Sequence, residues 1–70
     1  MDKYLITDIT GETGRDWKVK VALVGGTGTK YNAKINKLGP KPEVGKETVM
    51  AWLDMTDKEQ EKLCKVEFGC

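Results

Sequence analysis

Trp17-Lys18-Val19-Lys20-Val21-Ala22-Leu23-Val24 runs into Gly25-Gly26-Thr27-Gly28 and returns as Thr29-Lys30-Tyr31-Asn32-Ala33-Lys34-Ile35-Asn36-Lys37. In the first segment Trp17, Val19, Val21 and Leu23 share a face. In the second, Tyr31, Ala33 and Ile35 share one, with Lys30, Asn32, Lys34 and Asn36 opposite. Alternation with period two over this length is the pattern of half-buried antiparallel strands, and the glycines between them make a flexible tip. The wet face of this hairpin carries lysine and asparagine, with no acid within either strand.

The parity of the pattern restricts the register. Placing Trp17, Val19, Val21 and Leu23 beside Tyr31, Ala33 and Ile35 requires paired residue numbers to have an even sum. A sum of 54 leaves Gly26-Thr27-Gly28 as a three-residue loop and sets Lys20 opposite Lys34. A sum of 52 sets Lys18 opposite Lys34 and Lys20 opposite Asn32. Both oppose two lysines, which weakens a sheet by up to about 1 kcal/mol. Such a pair either retains positive charge for a ligand or guards an exposed edge and aids solubility.

Outward from the hairpin, Lys3 to Ile9 reads as a first strand ending in the loop Thr10-Gly11-Glu12-Thr13-Gly14. Leu38 to Gly45 holds two prolines and two glycines and forms a stiff connection without regular structure. Lys46 to Met55 reads as a fourth strand. Thr56-Asp57-Lys58-Glu59 matches a capping box, so one or two helical turns start at Asp57, near 57–62. From Leu63 to Gly69, Cys64, Val66 and Phe68 fall in step as a last strand. The fold expected is a small, mainly β domain over 1–70: a five-stranded antiparallel SH3-like or OB-like barrel with one short helical turn. The alternative continues the helix to Val66 and gives three strands plus a C-terminal helix, because 57–63 is made of good helix formers.

With 70 residues the core is small. The net charge of +1 divides unevenly: residues 1–14 balance to −2, residues 15–46 to +6 and residues 47–70 to −3. The basic middle block can sustain a local positive field despite the near-neutral total. No apolar run reaches the roughly 20 residues of a membrane helix, and no signal peptide opens the chain, so a soluble, cytoplasmic protein is expected. Cys64 and Cys70 would lie about 20 Å apart on a strand, or about 9 Å apart along a helix axis. Both separations exceed disulfide reach, and two free thiols fit a reducing compartment.

The chain contains neither histidine nor serine. Its threonines lack an evident base, and two cysteines cannot close a zinc site, so neither an enzyme nor a metal or cofactor is expected. Val21 to Lys30 superficially resembles a strand and phosphate loop. However, Lys30 follows Thr29 and precedes Tyr31, which breaks the Gly-Lys-Ser/Thr ending of a P-loop. Tyr31 also occupies the place of the third glycine of a dinucleotide fingerprint.

A binding module remains. The leading expectation is nucleic-acid binding, single-stranded before duplex, with Lys18, Lys20, Lys30, Lys34 and Lys37 on phosphates and Asn32 and Asn36 touching bases or sugars. This face lacks the stacking aromatics usual for single-strand binders, so its affinity would be electrostatic and salt-dependent. The alternative is a small protein-binding inhibitor or adaptor, of the kind carried by phages and mobile elements, docking on a host protein or an acidic protein surface. Its anchor would be Met50 and Trp52. Core packing is the expectation for Trp52, but if Val49, Ala51 and Leu53 line the core, Met50 and Trp52 stand exposed together.

Overall fold

The computed structural model describes residues 3–70 and is mostly sheet. Five antiparallel strands, β1 (Tyr4–Glu12), β2 (Asp16–Leu23), β3 (Tyr31–Asn36), β4 (Glu47–Thr48) and β5 (Ala51–Leu53), precede one short helix, α1 (Asp57–Leu63). Their order across the sheet is β4-β1-β2-β3-β5, curled into a half-barrel. β2 and β3 pair as Lys18 with Lys34, Val19 with Ala33 and Lys20 with Asn32, so the register sum is 52. This leaves a wider tip than the three-residue loop of the other register.

Two irregularities bend β1 around β2. Its ladder slips between Ile6 and Asp8 and again between Ile9 and Gly11. Each slip leaves an extra threonine: the Thr7 hydroxyl donates to the Lys20 carbonyl at 3.0 Å and the Thr10 hydroxyl to the Lys18 carbonyl at 3.3 Å. Bulges increase local twist, which is how a strand of ordinary length wraps a small core. β1 also runs further than the sequence pattern suggested. Glycine at position 11 does not stop it, and the reversal is made by Thr13, whose hydroxyl accepts from the Asp16 N–H at 3.1 Å.

The fourth segment is one strand with a corner in it. β4 and β5 both run antiparallel to neighbours that themselves run alike, so they share a direction with only Val49 and Met50 between them. The first half is paired to β1 and the second to β3, so this strap ties the two margins of the sheet. The five strands therefore include this division, not a final strand at 63–69. In place of that strand the chain continues from α1 into a π-helical turn, Cys64–Phe68. Helix-forming composition and the Thr56 cap outweigh the period-two spacing of Cys64, Val66 and Phe68. The Thr56 hydroxyl accepts from the Glu59 N–H at 3.3 Å and donates to its carboxylate at 3.2 Å.

The two thiols expected to be free are instead joined. Gly69 adopts a left-handed conformation (φ 68°), its N–H caps the Lys65 carbonyl at 3.1 Å, and the chain folds back. Cys64 and Cys70 thereby come to a Cα separation of 5.6 Å and form a disulfide. The axial distance of a straight helix overstated their separation because it ignored this reversal. The thiol argument for a reducing compartment falls with it. No helix among the described residues is long and apolar enough to cross a membrane.

Ile6, Val19, Val21, Ala33, Ile35 and Ala51 form the core, with Tyr4, Trp17 and Leu53 packed against it. Val19 and Val21 are the most completely enclosed large side chains, each contributing roughly 1.5–3 kcal/mol through burial.

Candidate nucleic-acid interface

Opposite this core, the outer face of the sheet is ordered by the ladders into rows. One row crosses four strands as Gly11, Lys18, Lys34 and Trp52. A second reads Asp8, Lys20 and Asn32, and continues to Asp54, whose N–H donates to the Asn32 carbonyl at 2.9 Å. Asp16 stands opposite Asn36 in a third. Lys18, Lys20, Asn32 and Lys34 thus lie together with Trp52 on one surface.

Trp52 is the residue that sequence reasoning placed least well. Its side chain is 77% exposed and Met50 is 62% exposed, while Ala51 is buried and Leu53 half-buried, so the core-facing set is the odd-numbered one. An aromatic therefore stands beside the lysines on the face expected to lack one. The signal was available in parity: if Ala51 and Leu53 are core residues, Trp52 shares the side of Lys34.

The charge on the face is less one-sided than the strand sequences suggested. Asp8, from β1, accepts a hydrogen bond from the Lys30 ammonium at 3.3 Å, and Asp54, beyond β5, pairs with Lys34 at 3.7 Å. The Lys30 hydrogen bond, then the Thr7 hydroxyl, hold the Asp8 carboxyl below the usual carboxylate range. Lys18 and Lys20 make no ion pair among the described residues and remain open to an anion. These surface pairs are weak, typically about 0–1 kcal/mol, and exchange readily for a phosphate.

Two expected contacts lie elsewhere or are already engaged. Lys37 falls on the other side of the sheet, where its ammonium pairs with Glu12 at 3.0 Å and sits 4.8 Å from the centre of the Trp17 ring. Lys41 lies over the same ring at 5.2 Å, so Trp17 gathers two cations that do not join the lysine face. Asn36 is exposed, but its side-chain oxygen accepts the Leu38 N–H at 2.7 Å and shapes the turn after β3. Asn32, by contrast, has an unengaged side chain among the described residues.

Beside Trp52 the surface falls into a cleft of about 890 Å³, with Ile6 reached at its floor and Leu38, Pro40, Pro42, Met50 and Trp52 among its walls. Leu38 is 96% exposed at its rim. A smaller recess of about 170 Å³ lies where Lys20, Lys30 and Asn32 meet Met55, Glu59 and Lys62. No group of His, Cys, Asp or Glu among the described residues could hold a metal ion. Comparison with family models, curated proteins and solved structures finds no match to this chain.

Proposed function

We propose that this protein is a non-enzymatic module that binds single-stranded nucleic acid on the outer face of β2, β3 and β5. The observation that carries this is the ladder row Lys18–Lys34–Trp52, an exposed indole in register with two lysines. A base stacks on Trp52, Lys18 and Lys20 meet the phosphates first, and Lys34 exchanges Asp54 for a phosphate. Asn32 offers a donor and an acceptor to a base edge or a sugar. Stacking tolerates any base and phosphate contacts carry no sequence information, so the module has low sequence specificity. The carboxylates of Asp8 and Asp54 keep its affinity modest. Faces made by the second and third strands of OB-like barrels serve oligonucleotides in this way, an analogy of fold that adds support only alongside the residues named. A nucleic-acid partner sets the protein to work inside cells, the cytoplasm included.

Fluorescence anisotropy with a labelled oligothymidylate, in low and moderate salt, tests the proposal. Trp52→Ala is expected to weaken binding by about 5- to 100-fold, the equivalent of about 1–3 kcal/mol of lost stacking, with thermal stability unchanged. Absence of binding at low salt, or equal binding by the variant, would reject it.

One observation favours a second reading, a protein-docking inhibitor or adaptor. Leu38, Met50 and Trp52 all line the large cleft and stand exposed there, offering apolar anchors to a protein partner. The two readings part at Leu38→Ala and Met50→Ala. These substitutions leave oligonucleotide binding intact under the first and abolish capture of a stoichiometric protein partner under the second.

A further inference from the structure

The helical arm, α1 with its π-helical turn, makes no extended contact with any strand; among the described residues, Glu67 hydrogen-bonds its far end to the barrel. Glu67 reaches the glycine tip between β2 and β3, forty positions away in sequence. Its carboxylate accepts the Thr27 N–H at 3.1 Å through one oxygen and the Thr27 hydroxyl at 3.1 Å through the other. The Thr27 hydroxyl in turn meets that of Thr29 at 2.9 Å. Glu67 sits inside the ring closed by the Cys64–Cys70 disulfide, on the π-helical turn itself. Such turns are rarely stable alone, and no side chain caps the start of this one.

We propose that the Cys64–Cys70 disulfide is a redox-controlled lock on this clasp, holding the arm to the tip when oxidised and releasing it when reduced. The reductant is a dithiol. Its thiolate attacks the sulfur of exposed Cys70, forming a mixed disulfide, while the Cys64 sulfur leaves with the bonding pair and takes up a proton. The second thiol of the reductant resolves the mixed disulfide. The chain then ends with two thiols and the reductant with one disulfide, two electrons and two protons having passed to the protein. Without the covalent ring, the ends of the π-helical turn regain freedom worth tens-fold, on the order of 50, in the equilibrium between ordered and frayed forms. Glu67 then leaves Thr27, and the recess where Glu59 and Lys62 of the arm adjoin Lys20, Lys30 and Asn32 opens. The lock goes beyond the ligand proposal above and does not depend on it.

Amide hydrogen exchange followed by nuclear magnetic resonance tests it on the whole chain, oxidised and after treatment with dithiothreitol. Exchange of the Thr27 N–H is expected to rise at least tenfold on reduction, while the Val19 and Val21 amides keep their protection. In Glu67→Ala the Thr27 N–H is expected to exchange fast in both states, and in Cys70→Ala fast without any reductant. Three results would overturn the lock: Thr27 exchange unchanged by reduction, redox dependence surviving in Glu67→Ala, or Val19 and Val21 losing protection together with Thr27. The last would make the disulfide a staple of the whole fold.

Discussion

Tyr31 shows how far one atom can depart from the economy of the rest of the fold. Its ring completes the inner face of β3 and is only 7% exposed, and its buried hydroxyl lies near Thr29 and Glu67 without a hydrogen bond of good geometry to either. Burial, reinforced by the negative charge of nearby Glu67, raises the Tyr31 pKa above the ordinary tyrosine value. An unpaired buried hydroxyl carries a desolvation cost, so Tyr31→Phe is expected to be neutral or to stabilise by up to about 1 kcal/mol at neutral pH. The raised pKa fixes the sign at high pH. Tyr31 contributes fully to stability below the unfolded value of about 10 and loses that contribution as pH rises toward its folded value. Urea midpoints at pH 8 and pH 10.5 check this: the wild type should lose more stability between them than Tyr31→Phe, which cancels the lysines common to both. Equal losses would show that folding does not raise the Tyr31 pKa. Trp52 makes the complementary point. Its identity was plain from the sequence, but its side of the sheet depended on which neighbours the core accepted.

Between elements, the best-read feature was the β2–β3 hairpin, because its alternation is long and its two strands fix each other's parity. The C-terminal segment was the least legible. Cys64, Val66 and Phe68 are spaced as a strand would space them, but 57–63 favours helix and a left-handed glycine brings the cysteines together, a reversal that no separation along the chain reveals. The lysines of the site were legible; their partners were not. Asp8 and Asp54 reach the face only through pairings with other strands, and Asn36 is claimed by a local turn. The tip offers a test at this scale. A methyl group at Gly26 would meet the Glu67 carboxylate oxygens at 3.0 Å and the Leu23 Cβ at 3.1 Å, whereas one at Gly14 meets nothing within 4 Å. Gly26→Ala is therefore expected to cost about 1 kcal/mol in urea denaturation and to loosen the arm, with Gly14→Ala staying within about 0.5 kcal/mol of wild type. A Gly26→Ala protein as stable as wild type would show that the arm adjusts freely.

At the scale of the whole molecule, charge is distributed so that attraction for an anion is local. Binding that engages Lys18, Lys20 and Lys34 neutralises about three phosphates, so the logarithm of affinity should fall with the logarithm of salt at a slope of about −2 for a single strand. A titration series from 50 to 200 mM salt should then lose about 15-fold in affinity. A slope near zero would remove the lysines from the contact. The expected barrel was correct in class for a partly different reason: the fifth strand came from a corner in the fourth, which depends on how tightly the bulges in β1 curl the sheet. That corner also bears on the order of assembly. β1, β2 and β3 form a meander from contacts close in sequence, and need only fast hairpin closures. The strap at 47–53 must bridge both margins at once and has no site to occupy until they have approached each other. Val49 and Met50 thus mark the seam at which the sheet closes on itself, after the meander has formed and at the point where its two margins part again on opening.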